Sequence, residues 1–228
     1  MATAVPPTAA VADALVRLGR VPRVGPSAVH RLLAGPPIAG PAIPCRHRGS
    51  VDVFLEAIDR AVPGGILVID NAGRLDEGCI GDLTVGEATA AGIAGMIVDG
   101  CHRDSAELRR IGLPIWSRGS VPVGPLGGRA GLADRLSRAR IGDVVVTPDD
   151  LVVADDDGVL FLAAAEADEA FGIAAEIVAA ERGQSERLAA GASLRDQLGF
   201  DEYKRRRATD PTYDFRRHLR ESGGAIES

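Results

Sequence analysis

Residues 66–70, Ile66-Leu67-Val68-Ile69-Asp70, give a strong local signal of secondary structure in this chain. This short apolar run is rich in β-branched residues and leads into Asn71-Ala72-Gly73, a pattern that predicts a buried strand ending in a turn. The same reasoning predicts a second strand at residues 94–100, a short helix over 103–110 and a third strand at 113–116. Strands that alternate with helices are typical of a βαβ unit, so we expect an α/β protein.

Polar residues follow the first two predicted strands. Asp82 precedes a helical segment that has Glu87 in its first turns, which makes Asp82 a predicted helix N-cap. Twenty residues separate Asp82 from the adjacent pair Arg103-Asp104, and Glu107 follows that pair. Open α/β sheets commonly bind ligands beyond the carboxyl ends of their strands, so we expect residues 81–84 and the Arg-Asp pair to line one crevice. A helix start beside a cation and a carboxylate is suited to a small oxo-acid and a divalent metal.

The sequence around these residues resembles a known family. Gly81-Asp82, followed after twenty residues by Arg103-Asp104, is similar to the pattern of the RraA-like family, which includes the class II 4-hydroxy-4-methyl-2-oxoglutarate aldolases. The resemblance runs from about Ala10 to Gly191. It implies an RraA-like fold, with a β-rich core of the phosphohistidine swivelling-domain type flanked by helices, and a homo-oligomer that is a trimer or a hexamer made of two trimers.

The resemblance also implies roles for individual residues. In the family's aldolases an arginine binds the pyruvyl carboxylate, and the aspartate after it holds Mg²⁺ or Mn²⁺. These roles fall on Arg103 and Asp104, while the main-chain amides of Gly81, Asp82, Leu83 and Thr84 are expected to contact the substrate. We expect Asp82 to hold or activate a water that moves the proton.

Family members also use a glutamate supplied by a neighbouring subunit. A helical stripe in the C-terminal third of the chain leads to Glu181, which is the candidate for this role, with Glu186 behind it. The apolar residues of the stripe are Ala170, Ile173, Ala174, Ile177 and Val178.

The residue types suit a reaction of 2-oxo acids. Retro-aldol cleavage or decarboxylation of such an acid produces a pyruvate enolate, whose charge a metal stabilises as a Lewis acid. Mg²⁺ prefers oxygen ligands and retains waters, so Asp104 together with substrate oxygens is sufficient to hold it. Arg103 offers a planar fork that matches a carboxylate. The expected function is therefore a metal-dependent lyase that cleaves a 4-hydroxy-2-oxo acid to release pyruvate, with oxaloacetate decarboxylation as a further activity.

The family has a second branch, and it supplies the alternative. Its namesake is a non-catalytic regulator that binds a ribonuclease and lacks part of the Asp-x20-Arg-Asp pattern. The presence of Asp82 favours the enzyme branch, and the regulator stays open as the rival interpretation.

Other residues near the predicted site have simpler interpretations. Cys45, Cys79 and Cys101 form no CxxC motif, so they are expected to be buried packing residues rather than a disulfide framework or a zinc site, with a catalytic thiol as the alternative. His102 is either a partner of the site residues or an exposed neighbour, and exposure is favoured. Residues 155–158, Asp-Asp-Asp-Gly, lie between two apolar runs and predict a hairpin turn rather than a Ca²⁺ loop.

Composition excludes several classes of protein. With 228 residues, 46% hydrophobic and 25% charged, the chain can bury a full core, and we assign residues 1–192 to one catalytic domain and 193–228 to an extension. A net charge of -6 gives no general attraction to nucleic acid. No apolar run approaches a membrane span and residues 1–7 lack signal-peptide features, so the protein is expected to stay in the cytoplasm. No Walker, dinucleotide or HExxH motif is present.

The extension mixes basic and aromatic residues with acids that dilute the positive charge. A tail that binds RNA is therefore less favoured than an arm that packs on a neighbouring subunit. The expected anchors of this arm are Phe200, Tyr203, Tyr213 and Phe215.

Overall fold

The computed structural model describes residues 4–127 and 134–222. Its strands are β1 (Arg23–Val24), β2 (His30–Arg31), β3 (Ile38–Arg46), β4 (Ile66–Ile80), β5 (Gly95–His102), β6 (Ile115–Ser117), β7 (Ala139–Ile141), β8 (Val144–Val146), β9 (Asp150–Asp155) and β10 (Gly158–Ala163). Its α-helices are α1 (Thr8–Arg17), α2 (Asp52–Asp59), α3 (Asp82–Ala90), α4 (Ser105–Ile111), α5 (Ala167–Ala189), α6 (Leu194–Gln197), α7 (Phe200–Thr209) and α8 (Phe215–Ser222).

One mixed sheet contains most of the strands. Its order is β1-β10-β9-β3-β4-β5-β6-β2, while β7 and β8 form a separate hairpin. The long strand β3 joins the two halves, because residues 38–41 pair antiparallel with β9 and residues 42–46 pair parallel with β4. The strands β4, β5 and β6 continue in parallel. The carboxyl ends of β4 and β5 therefore lie side by side at one edge of the sheet.

The sheet curls until its far ends approach each other. The indole N–H of Trp116, on β6, donates a 2.8 Å hydrogen bond to the carbonyl of Asp155 at the end of β9. Arg31, on β2, contacts Asp156 at 3.1 Å. The curl encloses an inner core whose buried side chains include Ile66, Val68, Ile97, Trp116, Ile141, Val146, Val152 and Phe161.

Helices cover the outer face of the sheet. On the parallel half, α2, α3 and α4 bury side chains such as Phe54, Val85 and Leu108 against β4 and β5. On the antiparallel half, α1 and α5 pack on β9 and β10. Each buried Leu, Ile or Phe contributes about 1.5–3 kcal/mol. The fold is thus mixed α/β with a large sheet flanked by helices, as predicted.

The turn predicted after residue 70 is wrong. The strand β4 continues through this segment to Ile80, although its register against β5 shifts repeatedly beyond Asp70. Ala72 and Gly73 have left-handed backbone conformations, with φ of 55° and 66°. A polar run with such a backbone has the local signature of a turn, but pairing with β5 holds it as an irregular strand. The strand β4 therefore ends at Ile80, immediately before Gly81.

The remaining expectations about local structure are largely confirmed. The short helix predicted over 103–110 is α4, and the hairpin turn at residues 155–158 joins β9 to β10. The predicted N-cap is displaced by one position, because Gly81 occupies it and Asp82 is the first residue of α3. In α5, the stripe predicted on apolar spacing faces the core. No helix in the described part of the chain is both long and apolar enough to cross a membrane.

The extension folds back on itself. The rings of Tyr203 and Phe215 lie 4.9 Å apart, and those of Phe200 and Tyr203 lie 5.7 Å apart. Tyr213 also packs on Tyr203, at 6.3 Å. The four aromatic residues expected to anchor an arm therefore contact one another within the tail, and the packing of this arm on a neighbouring subunit stays a prediction.

Candidate functional site

The predicted crevice forms where β4 and β5 end. The strand β4 leads into Gly81 and α3, and β5 leads into Arg103-Asp104 and α4. The backbone N–H of Arg103 donates a 3.0 Å hydrogen bond to the carbonyl of Ile80, which ties the two strand ends together. The N–H of Asp82 points at the Asp104 carboxylate, 3.4 Å from Oδ2. The structure therefore brings together the two sequence segments that we expected to meet.

Three glycines make room for the Arg103 side chain. A Cβ at Gly78 would lie 2.9 Å from the Cβ of Arg103, one at Gly81 would lie 3.1 Å from Nε, and one at Gly124 would lie 2.6 Å from Nη1. These distances are shorter than ordinary van der Waals contacts. We call Gly78, Gly81 and Gly124 the glycine cradle. The stem and guanidinium of Arg103 therefore occupy space that a side chain at any of these three glycine positions would fill.

Asp104 has a left-handed backbone and an open carboxylate. Its φ and ψ are 58° and 38°, a conformation that Asp and Asn adopt more readily than other non-glycine residues. Residues in this region often occur at functional positions. The carboxylate lies 3.2 Å from Nε of Arg103, and the side chain is 35% exposed. It is therefore fixed in position and still reachable by a ligand.

The donor set fits a hydrated divalent cation. Across residues 4–127 and 134–222, no group of three or more His, Cys, Asp or Glu side chains is arranged to hold a metal ion. A closed cage of protein ligands is therefore absent from the described part of the chain. Mg²⁺ is usually bound through one or two carboxylates, with waters and substrate oxygens completing its shell. The single open carboxylate of Asp104 fits that mode.

The amides at the start of α3 are partly occupied. Asp82 accepts a 2.8 Å hydrogen bond from the N–H of Leu83 on one carboxylate oxygen, while its own N–H points at Asp104. Two of the amides expected to face substrate thus have partners within the chain. The Leu83 side chain is 82% exposed beside the crevice. Thr84 is half-buried in the same turn.

His102 is buried, so the expectation of an exposed neighbour is wrong. Its ring Nδ1 lies 2.7 Å from Oγ of Ser117 on β6, and Nε2 lies 3.0 Å from Oγ of Ser105 on α4. Burial, with a smaller effect of Arg109, lowers the pKa of this imidazole below its ordinary value of 6.5. The ring therefore connects the end of β5 to β6 and to α4, one residue before Arg103.

The three cysteines are buried free thiols, as predicted. Burial raises the pKa of Cys45, Cys79 and Cys101, which disfavours the reactive thiolate. A catalytic thiol therefore has no support in the structure.

The proposed glutamates do not reach the crevice within one chain. Glu181 and Glu186 are exposed on α5, the helix that packs on α1 and the β9–β10 half of the sheet. Glu107, on α4, forms an ion pair with Arg110. A glutamate supplied by a neighbouring subunit stays a prediction.

Sequence reasoning missed a buried polar cluster beside the crevice. Glu77, fully buried, accepts a 2.7 Å hydrogen bond from the N–H of Leu126 and lies 3.3 Å from Nη1 of Arg74. The buried ring of His47 lies 3.7 Å from the same carboxylate and 2.9 Å from Oδ1 of Asn71. Burial lowers the pKa of His47. The signal for this cluster was the polar run that follows the apolar strand 66–70.

A second cleft, with a volume of about 440 Å³, opens at the same edge of the sheet. Ion pairs cross it, with Nε of Arg118 at 2.6 Å from Asp99 and Nε of Arg46 at 3.4 Å from Asp70. Asp99 also accepts the N–H of Gly142 at 3.0 Å. The Asp99 carboxylate thus ties the turn of the β7–β8 hairpin to the sheet.

Comparison with known proteins points to one family. The family model RraA-like, described as Aldolase/RraA, matches residues 8–161. A protein of Halalkalibacterium halodurans named "Putative 4-hydroxy-4-methyl-2-oxoglutarate aldolase" is 32% identical over 154 residues, which span 67% of this chain and 70% of that relative.

Solved structures agree with this match. An uncharacterized protein from Pseudomonas syringae pv. tomato superposes with a TM-score of 0.71 at 26% identity, over 84% of this chain and 92% of that one. Streptomyces coelicolor RraAS2, described as an unusual member of the RNase ES inhibitor RraA protein family, superposes with a TM-score of 0.67 at 29% identity, over 79% and 92% of the two chains.

Proposed function

Because this chain belongs to the RraA-like family, we propose that it is a divalent-metal-dependent carbon–carbon lyase that cleaves a 4-hydroxy-2-oxo acid and releases pyruvate. Oxaloacetate decarboxylation is a further proposed activity. The observation that carries the proposal is the meeting of Gly81-Asp82 with Arg103-Asp104 at the ends of two parallel strands. The name of the 32% identical relative supports the same class of reaction.

Arg103 binds the carboxylate of the substrate in this proposal. The guanidinium offers parallel N–H donors that match the two oxygens of a carboxylate. The glycine cradle restricts the positions that the side chain can adopt, so less freedom is lost when the substrate binds. The ligand that these features favour is the pyruvyl end of a 2-oxo acid.

Asp104 would hold Mg²⁺ or Mn²⁺ through its open carboxylate. A divalent ion there would supply Lewis-acid stabilisation of the negative charge that develops when the carbon–carbon bond breaks. The Arg103 side chain next to Asp104 keeps the carboxylate oriented toward the crevice.

Asp82 is proposed to move the proton through a water. In aldol cleavage the 4-hydroxyl loses its proton to this base, the C3–C4 bond breaks, C4 becomes the carbonyl carbon of one product, and the electron pair passes to the enolate of pyruvate. Protonation of C3 then gives pyruvate. With oxaloacetate, the bond to the distal carboxylate breaks and CO₂ leaves. The half-buried position of Asp82, next to Asp104, suits this role.

We further propose a homotrimer or homohexamer in which Glu181 enters the crevice from a neighbouring subunit. Its exposure on α5 leaves it available for such a contact.

A ribonuclease-binding regulator is the second candidate function. The similarity to RraAS2, at 29% identity, favours it. Binding to a ribonuclease requires neither a metal ion at Asp104 nor a substrate carboxylate at Arg103, so the two candidate functions differ in their chemistry.

A pyruvate-release assay tests the proposal. The purified protein is mixed with 4-hydroxy-4-methyl-2-oxoglutarate or oxaloacetate, with Mg²⁺ or with excess chelator, and pyruvate is measured through lactate dehydrogenase. We expect release that requires the metal. No release from a panel of 4-hydroxy-2-oxo acids, together with binding to a ribonuclease, would establish the rival function instead.

A further inference from the structure

The segment 121–127 crosses the ends of β4 and β5. Its Val121 donates an N–H to the carbonyl of His102 at 2.9 Å, and its Val123 carbonyl accepts the N–H of Gly78 at 2.7 Å. Near its end, the Leu126 N–H donates to Oε2 of Glu77 at 2.7 Å. The segment is thus attached to both strands from which the candidate site is built.

The middle of this segment lies against the guanidinium of Arg103. At Gly124, the position of a Cβ would be 2.6 Å from Nη1 of Arg103, so the backbone of the segment limits how far the guanidinium can move. If the segment were displaced, the guanidinium of Arg103 would gain room to move.

Of the three hydrogen bonds described for the segment 121–127, the bond to Glu77 is the one that involves a charged side chain. Its side chain is fully buried, and a buried carboxylate is costly unless charges and N–H donors compensate it. Nη1 of Arg74 lies 3.3 Å from one oxygen, and the Leu126 N–H satisfies the other. A backbone N–H bound to an ionised carboxylate is stronger than one bound to a neutral acceptor. Glu77 therefore holds this end of the segment firmly.

We propose that Glu77 is a positioning residue for Arg103. Its carboxylate fixes the segment 121–127 through the Leu126 N–H, and the segment in turn fixes the guanidinium through Gly124. Glu77 thereby sets the affinity of the site for the substrate carboxylate without touching the substrate. The inference rests on the proposed function, since it assigns carboxylate binding to Arg103.

Two variants separate this role from a purely structural one. Glu77→Ala removes the acceptor, while Glu77→Gln keeps an oxygen for the Leu126 N–H. Gly124→Ala acts at the other end of the same path, because the new methyl group displaces only the flexible end of Arg103. This second route stays informative even where Glu77→Ala fails to fold.

The matched controls are Asp76→Ala and Gly172→Ala. Asp76 also pairs with Arg74, at 2.7 Å, but its side chain is 61% exposed and is not bonded to the segment. Gly172, on α5, has open space where its Cβ would be.

The experiment measures steady-state pyruvate release, amide hydrogen exchange and crystal structures of these variants. We expect Glu77→Ala and Gly124→Ala to raise KM roughly tenfold or more with a much smaller change in kcat, because the guanidinium is displaced. Glu77→Gln should recover only part of the affinity, because its amide oxygen still accepts the Leu126 N–H but lacks the charge, and both controls should keep the wild-type KM. Exchange at the Leu126 amide should accelerate in Glu77→Ala but not in Asp76→Ala.

Faster Leu126 exchange with an unchanged KM would overturn the proposal, as would a Glu77→Gln enzyme as impaired as Glu77→Ala. Should the wild-type protein release no pyruvate, the proposed function fails, and the crystal structures alone decide the inference. A displaced segment and guanidinium in Glu77→Ala then support it, and an unmoved Arg103 refutes it.

Discussion

The backbone N–H of Asp82 points at the carboxylate of Asp104, 3.4 Å from Oδ2, although the two residues are 22 positions apart in the chain. They meet because β4 and β5 are parallel neighbours, and the chain between them consists of α3 and β5 itself. Helix α3 returns the chain to the amino ends of the parallel strands, and β5 then runs back to their carboxyl ends. The spacing in the sequence is therefore the length of one helix, one turn and one strand.

Asp104 should be the residue on which metal dependence rests. Asp104→Asn keeps a side chain that tolerates the left-handed backbone and removes the charge that attracts a cation. Since a Lewis acid contributes several kcal/mol, activity should fall on the order of 100-fold or more. Titration with Mn²⁺ and the pyruvate assay measure both effects, with Asp76→Asn as the exposed control. A fully active variant that Mg²⁺ still stimulates would remove Asp104 from the metal site.

Arg103→Lys should weaken substrate recognition. Lysine keeps the charge but lacks the planar fork, and a charged hydrogen bond is worth about 1.5–3 kcal/mol, so kcat/KM should fall at least roughly tenfold. The same change at the exposed Arg110 is the control. Unchanged kinetics for Arg103→Lys would mean that another residue binds the carboxylate.

Ala72→Gly should stabilise the protein. Ala72 has a φ of 55°, which is strained for alanine and relaxed for glycine, and the net gain should be about 0.5–1 kcal/mol after the greater freedom of glycine in the unfolded chain is included. Urea unfolding measures it. The exposed Ala175 of α5 provides a control of opposite sign, because glycine within a helix costs about 0.5–1 kcal/mol. Equal losses at the two positions would contradict the strained backbone.

The free energy of unfolding should fall at acidic pH in part because of His102. Its pKa is lowered in the folded protein, so this contribution to stability is complete above the ordinary value of 6.5 and is lost as the pH falls toward the folded-state pKa. The advantage of the wild type over His102→Gln should therefore shrink between about pH 7.5 and pH 5.5. Urea unfolding at several pH values measures this difference. A gap that stays constant with pH would show that His102 titrates alike in both states.

Removal of residues 199–228 should leave the core folded and weaken or shrink the oligomer. The aromatic rings of the tail pack on one another, so their removal uncovers none of the three core clusters. The remaining surface of the tail then provides the contacts of the proposed arm. Light scattering and thermal unfolding of the truncated chain measure both effects. An assembly of unchanged mass would refute the arm, and RNA binding by the intact protein would favour the alternative.

The sequence predicted those parts of the fold whose signals are local. The apolar runs at residues 66–70 and 94–100 form the cores of β4 and β5, since a short apolar run rich in β-branched residues and bounded by glycines is typical of a buried strand. The second half of β4 was not predicted, because Ala72 and Gly73 have the backbone of a turn and the neighbouring side chains are polar. Pairing with β5 decides its conformation, and pairing between distant segments has no local signature.

The same distinction holds for the candidate site: some of its features have a local signal in the sequence, and others depend on distant segments. Spacing and residue type placed Asp82 beside Arg103-Asp104, and the structure brings them together. The burial of His102 depends on serines from two other elements, and that of Glu77 depends on an amide far along the chain. A single sequence contains no signal for such partners, so His102 was expected to be exposed and Glu77 was not recognised.

The glycine cradle bears on how an activity of this kind is lost. A single added methyl group at residue 78, 81 or 124 would fill space that the arginine needs. Under the proposed role of Arg103, a related chain that keeps the Arg-Asp pair but has a larger residue at one of these positions would lose carboxylate binding. The Arg-Asp pair alone is then not a sufficient criterion for the proposed activity. The three glycines belong to the same proposed site as the arginine.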